Sequence, residues 1–372
     1  MALDILHVHS TFALGGKEAR AVRLMNAFGD HAHHTILSAV PDALDARDAI
    51  APGIAANFPH DHPPIVGKPA PGRYRDLARY MRRFDLVLTY NWGAMDAVGA
   101  RRLFGGTPLI HHEDGFNQDE AARQKPARVW FRRVTLPAAH AVVVPSERLE
   151  RIARESWWQV PLRIANGIEV ERYARPVPGT IPGLRRGNGE VVVGTLAGLR
   201  AVKNLPRLVR AVAPLPHVRL VIVGEGPERG AILAEAARLG VADRVHLAGF
   251  LPEPEHYVGL FDIFALSSDS EQFPISLIEA MAAGLPIVST DVGDVCTMVS
   301  LANRRLVVPV EDEAAYAVAM ARLAGDRALR VAIGAANREK ALADYGEDAM
   351  IDAYRRLYGA AAGAAGFFRE MA

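Results

Sequence analysis

The chain has 372 residues, half of them apolar and 23% charged, which excludes a disordered or collagen-like polymer and, at about 150 residues per domain, argues for two domains. Its 43 basic and 42 acidic residues leave a formal net charge of +1, so no global field attracts nucleic acid and no nucleic-acid partner is expected. The single cysteine, Cys296, excludes an intramolecular disulfide framework and a cysteine-based zinc site, and suits a reducing compartment.

The opening Met1-Ala2-Leu3-Asp4-Ile5-Leu6-His7 lacks a basic leader region and reads as a buried strand, not a signal peptide. Strands are predicted over residues 4–9, 34–40, 85–90, 108–112, 140–145 and 162–165. Helices are predicted between them over 17–28, 73–83, 94–104, 120–136 and 147–156, the last with Ser146 as N-cap. Periodicity lapses over 175–189, where Pro176, Pro178, Pro182 and four glycines punctuate a loop. It resumes with strands over 191–195, 218–223, 244–247, 263–267, 286–289 and 305–308, and helices over 204–213, 228–239, 274–283 and 313–324. This alternation predicts an α/β chain of two doubly wound halves, each a parallel sheet covered by helices, with no residue-level repeat. A last helical period over 349–358 runs into an Ala/Gly-rich tail that can fray. No apolar run approaches the roughly 18 residues of a spanning helix, and a cytoplasmic protein is expected.

The segment from Ser268 to Pro286 is the most informative. Pro274 suits a first helical position, Gly284 the left-handed residue after the last turn, and Pro286 a stop. Glu271 then lies in the loop before the helix and Glu279 on its second turn. The helix start offers unpaired N–H groups from about Phe273 to Ser276 and a partial positive charge, a place for phosphate. Two carboxylates beside it would repel phosphate, so sugar and ribose hydroxyls are their natural donors. On spacing alone, a solvated loop charge at Glu271 and an ordinary exposed helical Glu279 are the favoured reading.

The stretch Val193-Gly194-Thr195-Leu196-Ala197-Gly198-Leu199-Arg200-Ala201-Val202-Lys203-Asn204 leads from a strand through small residues to two cations at a helix start. Arg200 and Lys203 could hold a diphosphate. Solvated loop cations are the commoner reading, but an anion would relieve their conflict with the helix dipole. Gly224-Glu225-Gly226-Pro227 fails the dinucleotide pattern, because Arg229 stands where the third glycine belongs and Gly230 comes one place late. No Walker pattern occurs. Gly15-Gly16 permits close backbone approach to a ligand, or simply a tight strand-to-helix turn. In Ile110-His111-His112-Glu113-Asp114-Gly115-Phe116, at the carboxyl end of a predicted parallel strand, alternation of side chains disfavours a compact metal set, so a substrate-facing polar cluster is expected, with His111 structural. No metal site is expected.

Taken in order, these stretches resemble the glycosyltransferases of family 4, which have the GT-B fold and use nucleotide-sugar donors. The resemblance runs over essentially the whole chain. Its most specific part is the E-x7-E element, Glu271 and Glu279 followed by Ala-Met-Ala-Ala-Gly-Leu-Pro. It is supported by Gly15-Gly16-Lys17-Glu18, Val144-Pro145-Ser146, Asn166-Gly167-Ile168, Lys203-Asn204, Val223-Gly224-Glu225-Gly226-Pro227 and Gly249-Phe250. The surrounding wording is similar to sugar transferases of bacterial exopolysaccharide clusters.

The resemblance implies two Rossmann-like domains facing a central cleft. Residues 1–166 would form the acceptor side, 167–348 the nucleotide-sugar side, and 349–372 a helix returning to the first domain. It implies transfer with retention from a UDP- or GDP-sugar, with no further cofactor, to a saccharide or polyprenyl-linked acceptor. Glu279 would hold the ribose and Glu271 the transferred sugar. Phe273, Pro274, Ile275 and Ser276 would meet sugar and diphosphate through backbone N–H groups, Lys203 and Arg200 would neutralise the leaving diphosphate, and Gly249 and Phe250 would border the base. Gly15 and Gly16 would reach the donor from the first half.

The sequence departs from the family pattern in three places. Gly198 stands where many members have arginine, and Arg200 is taken as its substitute. Asp114 stands where many have histidine, with His112 and Glu113 just upstream, so Asp114 becomes the candidate acceptor-side catalytic group. Gln272 replaces a frequent glycine.

The run Arg123-Gln124-Lys125-Pro126-Ala127-Arg128-Val129-Trp130-Phe131-Arg132-Arg133 contrasts with the neutral whole. It could rest on anionic lipid at the inner face of the plasma membrane, or pack Trp130 and Val134 into its domain. Two rivals to a transferase are a sugar-nucleotide epimerase and a catalytically silent nucleotide-sugar-binding subunit.

Overall fold

The computed structural model describes residues 2–13, 15–116, 120 and 124–364. The chain divides into two compact units, Met1–Asn166 with Asp348–Ala372, and Gly167–Glu347.

Unit 1 is built on a seven-stranded parallel sheet. Its strands are β1 Leu3–His9, β2 Ala32–Ser38, β3 Ala56–Asn57, β4 Leu86–Tyr90, β5 Leu109–His112, β6 Ala141–Val144 and β7 Leu162–Arg163, ordered β3-β2-β1-β4-β5-β6-β7. Strands covered on both faces need apolar residues at successive positions, and all five residues of β4 are buried. The helices are α1 Gly16–Phe28, α2 Pro71–Met81, α3 Met95–Phe104, α4 Pro126–Thr135 and α5 Glu147–Trp157. Ser146 caps α5, its Oγ accepting from Leu149 N–H at 3.0 Å.

Unit 2 carries β8 Val191–Leu196, β9 Val218–Val223, β10 Val245–Gly249, β11 Ile263–Leu266, β12 Ile287–Thr290 and β13 Val307–Val308, in the parallel order β10-β9-β8-β11-β12-β13. Its helices are α6 Leu205–Val212, α7 Arg229–Arg238, α8 Ile275–Ala282, α9 Val295–Met298, α10 Glu313–Gly325 and α11 Arg327–Asp344. The final helix, α12 Glu347–Ala361, belongs to unit 1: Tyr354 and Tyr358 are buried in its core, and Tyr358 meets Phe28 edge-on at 5.9 Å.

In both sheets strand order reverses direction beside the first strand, between β1 and β4 and between β8 and β11. Such reversals open a crevice at the carboxyl ends of the strands. The loops there are the one after β1 that ends at Gly15, 197–204 after β8 and 267–274 after β11, and they carry Gly15, Arg200, Lys203, Glu271, Phe273 and Pro274.

Four elements differ from expectation. The strand β3 and helix α9 are too short for periodicity to register, and the 18-residue α11 has a buried face of Ile333, Gly334, Asn337 and Ala341. Gly334 lets α11 approach the end of α8, since a Cβ there would stand 2.0 Å from Gly284 O. Asn337 Nδ2 donates to Leu285 O at 2.8 Å and to Asn303 Oδ1 at 2.9 Å. A close-packed glycine and a hydrogen-bonded amide leave little hydrophobic pattern. The helix expected over 120–136 begins at Pro126. Glu120 lies outside it, its carboxylate accepting from Lys125 N–H, and Arg123 lies outside the described residues.

Among the described residues no helix is long and apolar enough to cross a membrane, and no group of three or more His, Cys, Asp and Glu side chains is placed to hold a metal.

Candidate functional site

In unit 2, α8 is framed by its sequence. Pro274 occupies the N-cap, one place before the expected first helical position. The helix closes with Gly284 N–H on Met281 O and Leu285 N–H on Ala280 O, a double closure that needs the left-handed Gly284 at φ 73°. At the other end the N–H groups of Phe273, Ile275 and Ser276 have no partner among the described residues, so the end is an open set of donors with the positive pole of the helix behind it.

The loop before α8 and the loop after β8 meet at that end. Lys203 Nζ donates to Glu271 Oε1 at 2.5 Å, and Ser268 Oγ donates to the same oxygen at 2.7 Å. The loops are locked further back by Ser267 Oγ on Lys203 O, Asp269 N–H on Val202 O, and Asn204 Nδ2 on Asp269 Oδ1. Buried Arg207 holds Ser267 O at 2.9 Å and Asp269 at 3.0 Å. Arg200 is exposed and its guanidinium has no partner among the described residues. Glu279 Oε1 accepts from Tyr173 OH at 3.2 Å. Gly249 ends β10 at φ 78°, and a Cβ there would stand 3.3 Å from Glu225 Oε1, while Phe250 beside it is largely exposed.

In unit 1, Gly15 is the extended N-cap of α1 and both Gly15 and Gly16 are exposed. Arg20, one turn into α1 and buried, grips both oxygens of Asp114, with Nη2 to Oδ2 at 2.9 Å; its Nη1 also donates to Asn166 Oδ1 at 3.1 Å. Burial opposes the Arg20 charge, yet Asp114 keeps its pKa above the usual arginine range. Burial lowers Lys17 to about 8, against the attraction of Asp114.

His112 and Glu113 are placed differently from the acceptor-side position expected of them. Both lie inside unit 1, at 1% and 0% exposure. His112 Nδ1 pairs with Thr89 O and its Nε2 with Tyr358 OH at 2.9 Å. Glu113 Oε2 accepts from Arg132 Nε at 3.1 Å, and that guanidinium is walled by Trp92, Phe116 and Trp157. Residues arriving from α4 and α12 claim both side chains, leaving Asp114 as the part-exposed member of the run. His111 is fully buried on Thr89 Oγ1, as a structural histidine should be.

Residues 14–172 match the family model described as Glycosyltransferase Family 4, and residues 181–340 that described as Glycosyl transferases group 1. The chain belongs to the family 4 glycosyltransferases. This family 4 chain is similar to the lipopolysaccharide core biosynthesis glycosyltransferase LpsE of Rhizobium meliloti, at 30% identity over 42% of this chain and 46% of that one. It is also similar to a GDP-mannose-dependent alpha-mannosyltransferase of Mycobacterium tuberculosis, at 30% identity over 63% of each. The chain spans about half the length of the first curated relatives it matches. Among solved structures it is similar to Anabaena HepE in complex with UDP, with a TM-score of 0.78, 19% identity, and 96% of this chain and all of that one covered. The fold is α/β, of the GT-B class.

Four side chains of these sites had no role assigned from sequence: Ser268, Tyr173, Arg207 and Arg20. Only Arg20 left a signal, since a charge interrupts the apolar stripe of Ala21, Leu24, Met25 and Phe28 on α1.

Proposed function

We propose that this family 4 chain moves a sugar from a nucleoside-diphosphate donor to a saccharide or polyprenyl-linked saccharide acceptor in polysaccharide biosynthesis, with retention of anomeric configuration. The observation that carries the reading is the meeting of Lys203 and Glu271 at the open start of α8, with Arg200, whose guanidinium has no partner among the described residues, on the same loop as Lys203. Cations and free N–H groups suit a diphosphate, and the carboxylate beside them suits sugar hydroxyls.

In this reading Lys203, Arg200 and the N–H groups of Phe273, Ile275 and Ser276 stabilise negative charge on the leaving diphosphate as the bond from the anomeric carbon to phosphate oxygen breaks. Pro274 shapes the turn that aims those groups. Glu271, held by Lys203 and Ser268, accepts hydroxyls of the transferred sugar, Glu279 accepts the ribose, and Gly249 with Phe250 borders the base. The acceptor oxygen bonds to the anomeric carbon on the face the phosphate leaves, and its proton passes to the departing phosphate oxygen. Asp114, fixed by Arg20, is the acceptor-side group, with His112 and Glu113 supporting the strand end from behind. UDP accompanies the similar HepE structure and GDP-mannose the mycobacterial relative, so both donor classes belong in the test. The site of action proposed with this reading is cytoplasmic.

The experiment is a thermal-shift screen of the full chain with UDP- and GDP-sugars, followed by turnover. A donor at 100 times its dissociation constant adds about 2.7 kcal/mol to the stability of the state that binds it. Lys203→Ala is expected to lower turnover with saturating donor by about 10²–10³-fold. Near-normal turnover in that variant removes Lys203 from the mechanism, and an absence of any nucleotide-dependent shift removes the donor reading.

A further inference from the structure

One face of unit 1 takes no part in the roles above. The helix α4 turns Trp130 and Val134 outward one turn apart, and Leu103 at the end of α3, with Trp158 and Val160 after α5, are likewise exposed; the two indoles are 56% and 64% accessible. The three helices are tied side by side, Arg102 Nε donating to Val134 O at 3.1 Å and Arg133 Nε to Ser156 O at 2.7 Å. The Arg133 guanidinium lies 3.9 Å from the Trp158 ring centroid and 5.0 Å from that of Trp130. The indoles meet edge to face at 6.0 Å. No carboxylate lies on α4.

The backbone adds an independent observation. Trp158 sits at φ 58°, ψ 36°, the left-handed position that ends α5 and that a glycine would occupy without strain. A bulky aromatic held in a strained conformation and left mostly in water contributes little to folding, and strain of this kind points to function.

The chemistry of the patch selects its occupant. A sugar ring would need a bare aromatic face, but Arg133 covers one side of Trp158, and Leu103, Val134 and Val160 offer a glycan nothing. A bilayer surface uses every part: indoles settle at headgroup depth, aliphatic side chains enter the acyl boundary, and a guanidinium pairs with lipid phosphate. We propose that this face docks unit 1 onto a bilayer that carries anionic lipid. The inference goes beyond the transfer reaction and holds whichever sugar is moved; a polyprenyl-linked acceptor would be met at the same surface.

The test is sedimentation of the full chain with phosphatidylcholine vesicles, with and without phosphatidylglycerol, at low and high salt. Binding to the anionic vesicles, weakened by salt and accompanied by a blue shift of tryptophan emission, is expected. Trp158→Gly and Val134→Asp are each expected to weaken it at least about tenfold, an indole or valine withdrawn from water being worth that much or more. Trp158→Gly should keep its melting temperature within about 3 °C, since relief of the left-handed strain offsets the lost Arg133 stack. Wild-type binding by both variants, indifference to lipid charge, or no sedimentation overturns the proposal. So does a concentration-dependent dimer that Trp158→Gly abolishes, or retention on immobilised polysaccharide that it abolishes, which would hand the face to a second copy or to a glycan. Nucleotide-sugar thermal shifts on the same samples are expected to be unchanged, so failure here leaves the transferase reading standing.

Discussion

Replacing Glu113 by glutamine tests the buried charge pair of unit 1. Glu113 and Arg132 are both fully buried, and removing one partner of such a pair typically costs about 3–5 kcal/mol, because the other charge stays in a low dielectric without compensation. Two features pull the expectation to the lower end. Glu120 Oε1 remains 3.7 Å from Arg132 Nη1, and the rings of Trp92 and Trp157 keep their cation–π contacts with the guanidinium. A loss of about 3 kcal/mol corresponds to a fall of roughly 6–12 °C in the melting temperature of a unit this size. The assay is clean, because all four tryptophans, Trp92, Trp130, Trp157 and Trp158, lie in unit 1, and urea unfolding followed by indole fluorescence therefore reads that unit alone. The double variant Glu113→Gln, Arg132→Met should recover at least half of the loss, since it removes the orphaned charge. A single variant that loses less than about 1 kcal/mol, or a double variant no better than the single, refutes the account of Glu113 as a structural counter-ion.

Acid should weaken unit 1 through its histidines. Burial, with neighbouring positive charge, lowers the pKa of His7, His9 and His112, and brings His34 to about 4. The unfolded chain then binds more protons as pH falls from about 6.5 towards 4, so stability drops over that window and is fully present above it. His34 alone accounts for about 2 kcal/mol at pH 5, and a urea midpoint that does not move between pH 7 and pH 5 contradicts this. Gly293→Ala places a Cβ at φ 59° and 2.4 Å from Gln272 O, with Glu271 O at 2.8 Å. The loop carrying Glu271 must shift, so turnover is expected to fall by at least about tenfold, with a stability cost on the order of 1–3 kcal/mol. Unaltered kcat and melting temperature would show that the loop tolerates the shift.

Much of the fold was legible because parallel sheets write themselves plainly: short apolar runs such as β9 and β11, separated by helices with marked ends. The helix α8 could be bounded from Pro274 and Gly284 alone. The helix α11 could not, because its buried face rests on Gly334 and Asn337, whose value lies in close approach and amide hydrogen bonds. At the candidate site, the chain order exposed two stretches of polar residues, yet Lys203 and Glu271 stand 68 positions apart, and only the strand reversal between β8 and β11 brings them into contact. The fates of His112 and Glu113 were illegible for a related reason. A carboxylate at a strand end looks the same in sequence whether a substrate or a buried arginine faces it, and here the facing groups are Arg132, 19 positions from Glu113, and Tyr358, 246 positions from His112.

The last helix has a consequence for how the protein is made. Unit 1 cannot complete its core until Tyr354 and Tyr358 have left the ribosome, although its sheet is specified by the first half of the message. Unit 2, meanwhile, has its two ends stitched together: Ile168 bridges Gly346, with Ile168 N–H on Tyr345 O at 2.9 Å and Glu347 N–H on Ile168 O at 3.0 Å. It is a self-closed insert that can mature during translation while the earlier-born half waits, open, for α12 to latch it.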